Sequence, residues 1–284
     1  MDFLDVHYHT NPDLYKRRGS AIETGRIYKE LNGAVILKSH LGSTVQSSVI
    51  CQAEGLPVYS SIVLNKIAGG LNYKTVLRAL SESDTFGEFS LLVHLPTITN
   101  TNHKSHLKRD FSNEIAAQYA EEAEPIVINK KLRKEVSDIL KMSNDFPIVI
   151  STGHATKAEI MLIIEECYKL NIKKLMLNQP ANPITGLKFE DLKYLCDAHK
   201  FLWVEQTALT YLLKYQTWDD FESVLQYLPR VLYSSDLGQT SQPDIYQWRA
   251  LTDKWFEEAG LSKVRIKEIS LDNPLQLIRT QGNY

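Results

Sequence analysis

Short apolar, β-branched runs alternate with amphipathic stretches along the whole chain. Eight runs stand out: FLDVHYH (3–9), AVILKSH (34–40), PVYSSIVLN (57–65), FSLLVHLP (89–96), PIVISTGH (147–154), KKLMLNQP (173–180), FLWVEQT (201–207) and RVLYSSD (230–236). Most are nearly continuous in hydrophobicity rather than strictly alternating, the pattern of strands buried on both faces of a parallel sheet. Helix-like segments separate them. SAIETGRIYKEL (20–31) opens with Ser20 and Glu23 at capping-box spacing, and TKAEIMLIIEECYKL (156–170) follows the fifth run. DIYQWRALTDKWFEEAG (244–260) ends in a glycine placed to stop a helix.

This rhythm predicts an α/β fold: a (β/α)₈ TIM-type barrel in one domain spanning 1–284, with a doubly wound open sheet as the main competitor. No compositional break, repeat or low-complexity tract divides the chain. The longest departure is 97–146, read as an elaborated loop after strand four that lies over the catalytic face. It holds a polar loop (TITNTNHKSHLKRD), a helix near 112–124, a short IVI and a helix near 130–142.

Composition narrows the functional classes. With 284 residues, 43% of them hydrophobic, the chain can bury a sizeable core. Its 32 basic and 34 acidic residues leave a formal charge of −2, so no net field recruits nucleic acid or a membrane. Three cysteines, Cys51, Cys167 and Cys196, form no C-x-x-C and suit a reducing compartment. No run approaches a membrane span, and the first histidine pair begins at position 7, with no room for a signal peptide before it. The expectation is a cytoplasmic protein whose partner is a small molecule, with homo-oligomerisation through outer helices left open.

The placement of histidines changes the picture most. In an extended segment residues i and i+2 point to one side, so His7 and His9 share a space and Tyr8 faces away. Five of the eight histidines, His7, His9, His40, His94 and His154, fall at or just after the C-terminal end of a strand. So do Lys38, Gln179, Glu205 and Asp236, whereas His199 falls on a helix and reads as an ordinary surface or core residue. In a barrel those strand ends converge on one face. Polar residues also make turns, but five imidazoles and two carboxylates exceed what turns require. The set suits a divalent transition metal, zinc first, with manganese or iron as alternatives. Such an ion lowers the pKa of a bound water to roughly 7. Asp236, in YSSDLGQTSQPD, is placed to take that water's proton and pass it to a leaving group. Neither G-x-S-x-G nor a Ser-His-Asp order appears, which argues against a covalent nucleophile.

DVHYHT at the first strand, STGH at the fifth and SSDLGQ at the eighth resemble the amidohydrolase superfamily of metal-dependent barrel hydrolases. DNPLQLI (272–278) is similar to the Asn-Pro helix start that often follows the last strand there. LKSHLGST (37–44), SSIVLNKIAGGLN (60–72), STGHAT (151–156) and SSDLGQTSQP (234–243) look like a small, little-characterised subgroup. The first motif is also similar to the polymerase-and-histidinol-phosphatase (PHP) barrels. The resemblance implies that His7, His9, His154 and Asp236 hold a metal, joined by His40, with Asp236, Lys38 and Glu205 as the catalytic set. Superfamily members that carbamylate a lysine usually place it at strand four. Lys38 ends strand two, so it reads as an ammonium that pairs with Glu205 or Asp236 or grips an anion. Related barrels carry a histidine at the end of strand six, where Gln179 stands here, and an amide is a poor zinc ligand. Either the site holds one ion rather than two, or His94 or Glu205 supplies the missing ligand, or the metal site has decayed.

Two basic stretches, YKRRGS (15–20) and HKSHLKRD (103–110), would lie on the same face. Arg17, Arg18, His103, Lys104 and Gln179 are therefore candidate substrate-binding residues for an anionic small molecule, the alternative for both stretches being solvated loop. The function implied is attack of metal-activated water on an amide, lactone or related carbonyl. Phosphoester hydrolysis of the PHP type is one alternative, and a barrel that binds without turnover is the other.

Overall fold

In a computed structural model, residues 1–83, 88–99, 107, 109–120 and 122–280 are described. Their strands are β1 (Phe3–His9), β2 (Gly33–Lys38), β3 (Val58–Tyr59), β4 (Ser61–Val63), β5 (Leu91–His94), β6 (Val127–Ile128), β7 (Lys131–Leu132), β8 (Ile148–Ser151), β9 (Leu175–Leu177), β10 (Leu202–Thr207) and β11 (Val231–Ser234). Two parallel sheets result, ordered β1-β2-β3 and β11-β10-β9-β8-β5-β4. They meet along the chain at Ser60, between β3 and β4. The Ser61 amide donates to Thr44 Oγ1 instead of to a neighbouring strand, which breaks the third apolar run in two. At the other end, Tyr8 forms a parallel bridge with Leu237. The His9 amide donates to the Leu237 carbonyl at 2.9 Å, and the Asp236 amide to the His7 carbonyl at 2.8 Å.

Helices cover the sheets' outer faces and begin as their sequences dictate. Ser20 with Glu23, Thr156 with Glu159 and Asp244 with Gln247 each form a reciprocal capping box. Leu4 and Val6 pack in an inner cluster with Ala34, Ile36, Leu92, Val149, Met176, Trp203 and Leu232, which Leu277 and Ile278 of the C-terminal helix complete. Phe3 and Tyr8 belong instead to the larger outer cluster against the helices. Phe3 and Tyr8 differ in parity, so the pleat changes phase within β1, where the β1–β2 register shifts between Asp5 and Tyr8. This bulge lets apolar side chains fill the interior below and imidazoles occupy it above.

Segment 97–146 differs in detail from its sequence pattern. The helix expected near 112–124 spans only Glu114–Tyr119, capped by Asn113, and the one near 130–142 spans Lys134–Met142. Before it, β6 and β7 form an antiparallel hairpin whose two turn residues, Asn129 and Lys130, both take positive φ.

Candidate metal centre

The carboxyl ends of the parallel strands open on a cavity of about 840 Å³. His7, His9, Arg17, Lys38, His40, His154, Gln179 and Asp236 all line it. At its heart, three ligand atoms converge. His7 Nε2 lies 3.0 Å from Asp236 Oδ1, His9 Nε2 lies 3.3 Å from the same oxygen, and the two Nε2 atoms are 3.3 Å apart. Atoms bound at about 2.0–2.1 Å to a tetrahedral zinc ion lie about 3.3–3.4 Å from one another. The triangle therefore matches one face of such a coordination shell, and all three side chains are buried.

Hydrogen bonding fixes which nitrogens face inward. His7 Nδ1 is 2.8 Å from Glu205 Oε1, so its proton sits on Nδ1 and its Nε2 lone pair faces Asp236. Glu205 is held in turn by the Ser234 hydroxyl at 2.9 Å and the Gln179 amide at 3.1 Å. His9 Nδ1 faces Asp13 Oδ2 at 3.3 Å, without hydrogen-bond alignment. Each imidazole thus has a carboxylate behind it, the arrangement that orients metal-ligating histidines. With Nδ1 protonated, two nitrogen lone pairs and a carboxylate oxygen point at one another. Only a cation or a proton relieves that crowding, and the donor set fits a divalent metal.

The surrounding electrostatics agree. Burial holds His9 below the ordinary imidazole value, aided by the charge of Arg17, and burial pushes His40 down to about 3. Burial and the Lys38 ammonium hold His94 and His154 well below the usual range. These imidazoles are neutral at neutral pH, as ligands must be. His7 is the exception: burial pulls it down, but Asp236 and Glu205 outweigh it and the value is raised. Asp236, despite its burial, is held well below the carboxylate range by His7 and His9. Both Asp236 and Gln179 sit at the ends of their strands with positive φ, 53° and 43°, a strained geometry found at functional sites.

Other expected residues take different places. Glu205 is not in the cavity wall but stands behind His7. His94 is also off the wall: its Nδ1 pairs with the Ser151 hydroxyl at 2.9 Å, and its buried Nε2 has no hydrogen-bond partner. Lys38 makes no ion pair with Glu205 or Asp236; its Nζ donates instead to Asn178 Oδ1 at 3.1 Å, at the end of β9. Arg18 is exposed and donates to the Thr240 and Gln242 carbonyls, outside the cavity wall. His103 and Lys104 lie outside the described residues.

Sequence reasoning passed over Asp13, four residues after His9. Its carboxylate accepts from Arg17 Nε at 2.7 Å and from the His40 amide at 2.6 Å, and contacts His40 Nδ1 at 3.1 Å. His9, Asp13 and His40 form a second buried cluster, but the Arg17 guanidinium already provides its cation, with Nη2 2.6 Å from Asp13. Arg109 belongs to the basic stretch 103–110 but was not singled out within it. It lines the cavity with its guanidinium 4.0 Å from the centre of the Tyr15 ring. The three cysteines are buried, and burial raises Cys167 to about 12 and Cys196 to about 11, far from nucleophilic.

A family model described as a family of unknown function (DUF6282) matches residues 2–205. No curated protein matches the chain. Among solved structures, it is similar to the inactive dihydroorotase-like domain of a CAD-like multifunctional protein from Chaetomium thermophilum. The two are 13% identical, with a TM-score of 0.54 over 97% of this chain and 78% of that one. At that identity the likeness is one of fold alone.

Proposed function

The chain belongs to this family of unknown function, and we propose that it is a metal-dependent hydrolase on a closed (β/α)₈ barrel that cleaves an amide, lactone or related carbonyl. The observation that carries this reading is the triangle of His7 Nε2, His9 Nε2 and Asp236 Oδ1, with the spacing of a coordination shell. His154, neutral and on the cavity wall but outside the group of converging ligand atoms, is the fourth residue that this reading assigns to the ion. A divalent ion held by these residues would supply an acidified water, with a pKa of roughly 7, and a Lewis acid for the carbonyl.

The chain's own groups do the rest. Glu205 keeps His7 in one tautomer and Asp13 backs His9. Asp236 contacts both imidazoles through Oδ1, which leaves Oδ2 to accept the water's proton and return it to the departing amine or alkoxide. Lys38, a buried ammonium without a carboxylate partner, faces the cavity where negative charge develops on the carbonyl oxygen. Gln179 in place of a histidine supports one ion rather than two.

A panel of small amides and lactones with added zinc or manganese, beside an aryl phosphate, tests the reading. Carbonyl turnover that His154→Asn abolishes together with bound metal is the expected result. Activity surviving His154→Asn would overturn the mechanism, and turnover of the phosphate alone would favour a PHP-like phosphoesterase. Gln179 also favours a second reading, a barrel that binds its ligand without turnover, which predicts no activity in either panel with metal bound.

A further inference from the structure

Of the basic residues expected to meet substrate, those described are already held in place, although the buried Nη1 of Arg17 has no hydrogen-bond partner. Arg17 is held by Asp13 through Nε and Nη2, and Arg18 by backbone carbonyls outside the cavity. Lys38 sits among the strand ends with Asn178. Two cavity cations have no acidic partner within ion-pair distance among the described residues: Lys38, already hydrogen-bonded to Asn178, and Arg109. The Arg109 guanidinium rests 4.0 Å from the Tyr15 ring centre, and that ring also stacks on Phe111 at 5.2 Å. The segment carrying it is pinned to the loop after β1. Tyr15 bridges Phe111 in antiparallel fashion, the Lys16 amide donates to the Asp110 carbonyl at 2.9 Å, and the Ser112 amide to the Leu14 carbonyl at 3.0 Å.

A guanidinium lying against an aromatic face has that side covered but keeps its N–H fork free in the guanidinium plane, the geometry that takes a planar carboxylate in two parallel hydrogen bonds. Held by a backbone ladder and a ring, the fork is already in position, so little entropy is lost on binding. A divalent ion on His7, His9 and Asp236 would consume the Asp236 charge, while Asp13 is spent on Arg17. We infer that Arg109, on its Tyr15 platform, is the anchor for a substrate carboxylate, so that the ligand is a small acid whose scissile amide or lactone carbonyl lies apart from a free carboxylate. The single fork favours this planar group over a phosphate dianion, which calls for more donors. This deepens the hydrolase reading above and depends on it only for the bond that is broken.

N-acetylglycine and its neutral counterpart N-acetylglycinamide differ in the carboxylate alone, and calorimetric titration of each into zinc-loaded protein reads the inference directly. The acid is expected to bind at least about tenfold more tightly, a difference of about 1.4 kcal/mol. Arg109→Met, which keeps an apolar chain over Tyr15, should erase that preference with zinc content and thermal midpoint unchanged, and Arg109→Lys should restore part of it. Arg109→Gln replaces the methionine variant if the latter lowers the midpoint. Equal binding of acid and amide, binding of neither, or a preference that survives loss of Arg109 would each overturn the inference. So would methyl phosphate binding more tightly than N-acetylglycine through Arg109. Repeating the titration on chelator-treated protein separates the two claims. A preference for the acid that persists without zinc upholds Arg109 whatever becomes of the metal, whereas absence of zinc uptake counts against the hydrolase reading alone.

Discussion

At the scale of single residues, the sequence revealed which side chains share a face but not how deep each one sits. His7, His9 and Asp236 were legible because an i, i+2 pair and a polar strand end carry orientation with them. Glu205 shows the limit. A carboxylate at a strand end looks catalytic, yet here it stands behind His7 and fixes its tautomer. Asp13 stands behind His9 without a hydrogen bond to it, and its cue was its position four residues downstream in DVHYHTNPD. Removing either charge should loosen the ligand it orients: Glu205→Gln and Asp13→Asn are each expected to weaken zinc binding about 10- to 100-fold, measured by competition with a chromogenic chelator. Unchanged affinity would mean that the imidazoles are held by packing alone. Proton release follows from the same groups. His7 is raised above its ordinary 6.5, so below that pH it carries a proton that zinc must displace, while His9, His40 and His154 are already neutral. Zinc affinity should therefore fall as pH drops through the folded pKa of His7. Calorimetry in two buffers at about pH 6 should find about one proton released per ion, against two or more from unperturbed histidines.

At the scale of elements, hydrophobic runs located every parallel strand, and the Ser20–Glu23 capping box marked the start of the first helix. What escaped had no periodic signature. The hairpin at 127–132 turns on Asn129-Lys130, without the Asn-Gly pair that usually announces a two-residue turn. The break at Ser60 depends on Thr44, a hydroxyl sixteen positions earlier in the chain that only the fold brings to Ser61. The strand ends that build the site depend on two glycines. A Cβ at Gly238 would sit 2.0 Å from the His9 carbonyl oxygen, and one at Gly153 would sit 2.1 Å from that of Leu95, both with positive φ. Gly238→Ala and Gly153→Ala should each cost at least about 1–3 kcal/mol in chemical denaturation, from backbone strain before the steric clash is counted. Gly238→Ala should also weaken metal binding, because the displaced backbone carries His9. Wild-type stability in both variants would show that the turns can move.

For the whole molecule, the two parallel sheets agree with the α/β rhythm of the runs. The link across the ends of the two sheets was not legible. Buried Asp5 reinforces its backbone bonds, accepting from the Ser235 amide at 3.0 Å and the Tyr28 hydroxyl at 2.6 Å, and nothing in FLDVHYH distinguishes this carboxylate from a misplaced polar residue. Among the described residues, no helix is long and apolar enough to cross a membrane. The proposed hydrolase function requires the β1 imidazoles and the β11-end carboxylate to hold a metal ion. Elemental analysis of the purified protein, beside the His7→Ala/His9→Ala double variant, tests it most directly. About one equivalent of zinc, manganese or iron in the wild type, absent from the double variant, is the predicted result. No metal in the wild type, even after incubation with each ion, would contradict it.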